Sequence, residues 1–159
     1  MRDELLEMFV QANRLLDEGR KDLAFPMFIE LAEKGYKYSF NTVGLLLDSG
    51  ARGEVAKSDA MSWFRRAARA GDTCGAANLG ISYLDKGNRK MARKWLSRAI
   101  SMGDVDAGVD LASTYFGPNG VRQRVRVRQI LESVLAWEGL DSESRRRAAD
   151  MLKKVSQST

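Results

Sequence analysis

The chain has 159 residues, 44% of them hydrophobic, with one cysteine, no histidine and a formal net charge of +5. That length suits one domain with a continuous core, and no apolar run approaches the roughly 20 residues a bilayer-spanning helix needs. Without histidine the commonest general base and transition-metal ligand is missing, so neither a Ser-His nor a Cys-His nucleophile pair can be built. A lone cysteine excludes an intramolecular disulfide.

Charge is spread unevenly. Residues 1–56 hold seven basic and ten acidic side chains, and residues 57–159 hold nineteen and eleven. The asymmetry fits an acidic or nucleic-acid partner, and it equally fits an Arg-rich solvated surface. The start, MRDELLEMFV, places Asp3, Glu4 and Glu7 among apolar residues. That is an amphipathic helix without the basic start and unbroken apolar stretch of a secretory leader, so the expected location is the cytoplasm.

The pattern along the chain predicts helices throughout. Asp3 to Glu18 carries Leu5, Met8, Phe9, Ala12, Leu15 and Leu16 on one side. The next helix holds Ala24, Phe28, Leu31 and Ala32 and ends at Gly35, with Pro26 in its first turns, where proline is tolerated. Val43, Gly44 and Leu47 mark a third helix, followed by a loop over Asp48, Ser49, Gly50, Ala51, Arg52, Gly53 and Glu54. Ala60, Phe64, Ala67 and Ala68 then precede Gly71. From Asp72 to Lys86, Ala76, Leu79, Gly80 and Tyr83 share one helical face. Gly87 breaks the helix, and Asn88 is a suitable N-cap for Arg89 to Met102, whose inner face is Ala92, Trp95, Leu96, Ala99 and Ile100. Gly103 ends that helix and Asp104 opens another, as Asp72 does after Gly71. Leu111, Ala112 and Tyr115 follow, then a Pro118-Asn119-Gly120 turn.

Val121 to Arg128 alternates strictly between apolar and polar residues, as a strand would. A lone strand has no partner, and Ile130, Leu131, Val134, Leu135 and Trp137 continue at helical spacing to Gly139, so the segment is read as helix. Ser142 to Val155, with Ala148, Met151, Leu152 and Val155 on one face, reads as a capping helix.

Gly35, Gly71, Gly103 and Gly139 are separated by 36, 32 and 36 residues. Before each of the first three, apolar residues recur eleven, seven, four and three positions upstream. A period of roughly 30–45 residues indicates stacked helix pairs. The small residue at Gly44, Gly80 and Ala112 is the expected point of closest approach within a pair. Trp63 and Trp95 fall at core spacing, and Trp137 reads as a contact at the end of the stack.

Ala76-Ala77-Asn78-Leu79-Gly80-Ile81-Ser82-Tyr83, then Ala92-Arg93-Lys94-Trp95-Leu96-Ser97-Arg98-Ala99 and Gly103, resembles the Sel-one-like repeat (SLR), a branch of the tetratricopeptide (TPR) superfamily. Ala60 to Gly71 is similar to the second half of the same motif. The resemblance covers about residues 20–139. Phe40 and Val43 in the first full unit, and Arg128 and Glu132 in the last, depart from it. It implies an all-α, right-handed superhelix of about four helix pairs within one domain spanning 1–159, with residues 140–159 as capping helix and tail. The first helices would line a concave groove and the second helices would lie outside.

Carrying the family's groove positions over implies Tyr38, Asn41, Thr42, Leu45 and Asp48 from one unit. The next gives Cys74, Ala77, Asn78, Ile81 and Asp85, and the third gives Asp106, Val109, Asp110 and Ser113. Asn41 and Asn78 can both donate to and accept from a peptide backbone, and Asp110 can accept from it. Asp48, Asp85, Asp106 and Asp110 favour a basic segment. The outer helices carry Arg65, Arg66, Arg69, Arg93, Lys94 and Arg98, followed by Arg122, Arg124, Arg126 and Arg128, a stripe that could track phosphates.

No metal-ligand cluster, phosphate-binding glycine loop or cofactor motif is present in the sequence. The expected role is a non-enzymatic scaffold or adaptor that binds a peptide or helix of another protein. An inhibitor of one dedicated partner, of the immunity type, and a polyanion binder using the basic face are the alternatives. Copies could also associate through the array ends.

Overall fold

The computed structural model describes residues 2–50, 56–116 and 120–157. Among them are nine α-helices and no strand: α1 (Arg2–Asp17), α2 (Lys21–Glu33), α3 (Phe40–Asp48), α4 (Ala56–Arg69), α5 (Thr73–Asp85), α6 (Arg89–Ser101), α7 (Ala107–Ser113), α8 (Gly120–Leu135) and α9 (Ser142–Gln157). A single 3-10 turn over Lys37–Ser39 leads into α3. The helices fall into two compact units, Met1–Gly75 and Ala76–Thr159, and α5 runs across the division.

One turn recurs along the chain. At Gly71 the backbone takes φ 88°, a left-handed conformation that glycine adopts without steric cost. The amide of Gly71 donates to the carbonyl of Ala68, and that of Asp72 donates to the carbonyl of Ala67, the paired bonds of a Schellman motif. Asp72 Oδ1 then accepts from the amide of Gly75 at 2.9 Å, so the residue after the glycine caps the next helix. Gly103 and Asp104 repeat this, with Asp104 Oδ1 accepting from Ala107 at 3.0 Å. Asn88 caps α6 through the amide of Met91 at 3.1 Å.

In the first unit Ala24, Phe28, Leu31, Ala32, Val43, Ala60, Phe64, Ala67 and Ala68 form a buried core. These are the positions the glycine spacing selects. A Cβ built on Gly44 would come within 2.5 Å of the Phe64 ring, so α3 and α4 approach through a glycine that no other residue can replace without movement. In the second unit Gly80 plays the same part. A Cβ there would meet Leu96 Cγ at 2.7 Å and the Leu96 backbone nitrogen at 3.1 Å. The core of α7, α8 and α9 is Val109, Ala112, Val127, Leu131, Val134, Leu140, Ala148 and Val155.

One reading of the last pair holds and the others change. Val121–Arg128 lies within helix α8, as its helical continuation predicts. Gly139, however, is not equivalent to the earlier glycines, because it has no positive φ. The buried residues of α8 are Val127, Leu131 and Val134, with Leu135 half-buried, each one residue earlier than counting from Gly139 requires. This shift explains why Arg128 and Glu132 seemed misplaced: both are exposed. Trp137 is 55% exposed and lies against Gly139, where a Cβ would meet its Nε1 at 2.9 Å. Trp63 and Trp95 are half-buried rather than core. Residues 51–54 of the loop and Pro118 and Asn119 of the turn lie outside the described residues.

Gly80→Ala and Gly71→Ala separate two demands on glycine. Gly80→Ala forces overpacking against Leu96 and should cost about 1–3 kcal/mol. Gly71→Ala meets no neighbour but requires an L-residue at positive φ, costing about 1–2 kcal/mol. In urea unfolding, adding Leu96→Ala, which removes the clashing Cγ and Cδ2, should cost less stability in the first variant than in the second. An equal added cost in both refutes the assignment.

Candidate partner-binding surface

Of the residues expected in a groove, Tyr38, Leu45 and Asp48 are exposed, and Asn41 and Thr42 are half-buried. Tyr38 at 60% and Leu45 at 46% are large apolar surfaces left open at the two ends of the run from the 3-10 turn through α3. Tyr38 is held by an aromatic chain: its ring centroid lies 5.4 Å from Tyr36, which lies 5.2 Å from Phe9 of α1. Lys37 Nζ sits 5.2 Å from the Tyr38 ring.

The same unit presents two residues the sequence reading missed. Leu6 and Val10 of α1 are 51% and 60% exposed. With Glu7, Gln11 and Arg14 they line an open cavity of about 500 Å³. Aligning α1 on α5 so that Ala12 meets Gly80 and Leu15 meets Tyr83 also pairs Leu6 with Cys74 and Val10 with Asn78. The equivalence was therefore available in the sequence, although the helical spacing of α1 marks only its inner face. Cys74, at the end of the first unit, is exposed.

In the second unit Asn78 and Ile81 are half-buried and Asp85 is exposed. Ala77 and Val109, expected to line a groove, are buried instead. Val109 belongs to the core of α7, α8 and α9, because the short helix α7 turns its third residue inward. Ser113 is half-buried, and its hydroxyl donates to the carbonyl of Val109 at 3.1 Å.

Asp106 and Asp110 are both engaged by α9. Arg147 Nη2 donates to Asp110 Oδ1 at 2.5 Å. Asp106 faces Asp141 and Ser144, and its Oδ1 is buried without a hydrogen-bond partner. Asp141 in turn caps α9, accepting from the amides of Glu143 and Ser144, each at 2.9 Å.

Counting from the capping aspartates shows what α9 is. Three residues after Asp72, Asp104 and Asp141 stand the buried Gly75, Ala107 and Ser144. Six after stand Asn78, Asp110 and Arg147, eight after stand Gly80, Ala112 and Ala149, and eleven after stand Tyr83, Tyr115 and Leu152. The capping helix thus carries the pattern of a first helix of a further pair. Counting from Gly139 concealed this by one residue.

The basic face is largely occupied by its own fold. The Arg66 guanidinium lies 4.5 Å and 4.1 Å from the Phe40 and Trp63 rings, and its Nη2 reaches the Ala32 carbonyl at the end of α2. Arg93 and Arg126 each lie 4.9 Å from the Tyr115 ring. Arg98 stacks on Trp95 at 5.7 Å. Arg65 is half-buried, whereas Arg69 and Lys94 are exposed. The Arg122 side chain lies outside the described residues, and Arg128 Nη2 donates to the Ser156 hydroxyl. Among the described residues, no three His, Cys, Asp or Glu side chains could hold a metal, and no helix is long and apolar enough to cross a membrane.

Burial, followed by the facing Asp141 carboxyl, raises the pKa of Asp106 above its ordinary value. The Ser144 hydroxyl, followed by Asp106, holds Asp141 well below the usual carboxylate range. The two therefore respond oppositely to pH. A raised folded-state pKa makes Asp106 progressively unfavourable to folding as pH rises from about 4 through its folded value. Asp141 contributes stability above its unfolded pKa and loses it as pH falls through its lower folded value. Thermal melts should show Asp106→Asn more stable than the parent at pH 7, with the gain vanishing below about pH 4. Asp141→Ala should be less stable at pH 7. Equal stability of Asp106→Asn and parent at pH 7 would refute the strained carboxyl.

No family model matches the chain. An F-box protein of Arabidopsis thaliana is 38% identical over 93 residues, covering 57% of this chain and 25% of that protein. A protective antigen of uropathogenic Escherichia coli strains, solved with an SLR fold, superposes with TM-score 0.76 at 22% identity, covering 94% of this chain and 33% of the other. A Sel1 repeat protein from Oxalobacter formigenes gives TM-score 0.71 at 23% identity, covering 94% and 64%. The chain thus spans a quarter of the F-box protein's length and a third of the antigen's. Paired helices, the glycine-aspartate turn, the small residue at each close approach and these superpositions lead to one conclusion: the chain has the all-α repeat fold of the SLR proteins.

Proposed function

We propose that the chain is a non-enzymatic scaffold or adaptor of the cytoplasm that holds a peptide or helix of a partner protein on the outward face of its first helices. The observation that carries this is the exposure of Leu6, Val10, Tyr38 and Leu45, all on first helices or the turn leading into α3. Leu23 of α2 and Val125 of α8 are exposed on second helices as well, and it is the cavity lined by Leu6 and Val10 that favours a contact surface over scattered exposure. Helical repeat arrays commonly bind through such extended faces. Asn78, Ile81 and Asp85 stand at the corresponding positions on the first helix α5. Asp106 and Asp110 contribute less, since α9 already engages them. The polyanion reading loses support because Arg66, Arg93 and Arg98 stack on aromatic rings of their own fold.

The test is site-specific photo-crosslinking in nuclease-treated lysate of the source organism. A benzophenone amino acid would replace Leu45 or Ile81 on first helices, and Arg69 or Lys94 on second helices. A protein adduct formed from the first-helix positions and absent from the others is expected. Adducts formed only from Arg69 and Lys94, or only nucleic acid retained before nuclease treatment, would overturn the reading.

A further inference from the structure

We propose that Arg93 of α6 and Arg126 of α8, converging on the Tyr115 ring, form a clamp for the phosphoryl group of a phosphomonoester. The clamp uses none of the residues that carry the reading above, so either can fail alone. Both guanidinium carbons lie 4.9 Å from the Tyr115 ring centroid. They are therefore at most twice that distance apart, although α7 separates their helices in the chain.

No carboxylate accounts for this convergence. Among the described residues, neither guanidinium is bridged to an acid or donates a hydrogen bond. Helix α6 has no acidic residue, and α8 has only Glu132, exposed and nearly two turns beyond Arg126. Exposed Arg89 and Lys90 stand one turn before Arg93 and add to the positive field there. Elsewhere in the same unit the fold does supply counter-charges: Arg146 meets Glu143, and Arg147 meets Asp110. Two cations held near each other without one carry a mutual repulsion that a bound anion relieves.

The ring decides what kind of anion fits. A cation–π contact draws on the guanidinium's charge and leaves N–H donors for an acceptor. The contact also restrains a long side chain before the ligand arrives, so less freedom is lost on binding. Arginine forks match phosphate oxygens, and a phosphomonoester concentrates close to two negative charges on one group. A nucleic-acid strand asks for something different: cations spaced along a groove and open aromatic faces on which bases stack. Here the Tyr115 ring already carries two arginines, and Arg98 lies over Trp95. The contacts that take these arginines out of a phosphate-tracking stripe thus fix two of them at one point.

NMR titration of the full chain at pH 7 and constant low salt tests this. The probes are phenyl phosphate, phenyl sulfate of the same shape but lower charge, a glycine-flanked phosphoserine peptide with its unphosphorylated form, and a short oligothymidylate. Phenyl phosphate should shift the Tyr115 ring resonances of the parent chain, a readout that needs no variant. Phenyl sulfate should bind at least about tenfold more weakly. Arg93→Gln and Arg126→Gln should each weaken phenyl phosphate by about tenfold or more, with circular dichroism confirming the fold. Lys153→Gln removes an exposed cation of α9 in the same unit and should change nothing.

Unmoved Tyr115 resonances, equal binding of phosphate and sulfate, or equal losses in Lys153→Gln and Arg93→Gln would each overturn the proposal. Oligothymidylate binding more tightly than phenyl phosphate would overturn it in favour of a phosphodiester polymer. A phosphoserine peptide that binds more tightly than phenyl phosphate, with its unphosphorylated form silent, supports the clamp with a protein as the source. A peptide no tighter than phenyl phosphate supports it with a small molecule as the source.

Discussion

The close approach of the two helices in a pair governs this structure. Gly44 against Phe64, and Gly80 against Leu96, leave no room for a Cβ. With the helix axes brought this near, a large residue from the second helix fills the space over the glycine and is fully buried. The remaining apolar positions of each pair then follow at helical spacing. Dispersion contacts are individually weak, so a gap opened by one methyl group would be felt along the whole contact. The turns serve this packing: at Gly71 and Gly103 a left-handed glycine releases one helix and the following aspartate accepts from an amide of the next.

Once the inner faces are committed, what remains of each first helix is free to vary, and the two units use that freedom differently. In Met1–Gly75 the outward positions hold leucine, valine and tyrosine with carboxylates around them. In Ala76–Thr159 they hold asparagine, aspartate and, on α9, arginine. Arg147 on Asp110 joins equivalent positions of two first helices, so the last described helix meets its neighbour by an ion pair where others present neutral groups. With the Asp110 side chain mostly covered, this contact is less screened than an exposed pair. The cation–π contacts of Arg66 and of Arg93 with Arg126 show why a count of arginines overstates the available positive surface. Each of these guanidinium groups lies over a ring of its own fold.

Much of this was legible in the sequence because spacing records packing. The offsets before Gly35, Gly71 and Gly103 picked out the buried residues of α2, α4 and α6, and the small residues at Gly44 and Gly80 identified the contacts themselves. The last pair was less legible, because Gly139 lies near the expected distance but has a different backbone conformation. Composition alone could not reveal that Val127 and Leu131 had moved by one residue. The outward face was harder still, since no core constrains it. Leu6 and Val10 look like further helix apolars until the inner face of α1 is assigned. Likewise Asp110 looks like an open carboxylate until the distant Arg147 is brought beside it.

Within each unit the helices pack chiefly on their neighbours in sequence, while α9 rests on both α8 and α7. A chain organised this way has few contacts that must wait for distant segments to meet, so its folding barrier is set mainly by local steps. Cooperativity must then pass from one helix to the next through their shared interfaces. The bond between Arg147 and Asp110, spanning 37 residues, adds to that coupling: release of α9 also requires the loss of a charge contact on α7.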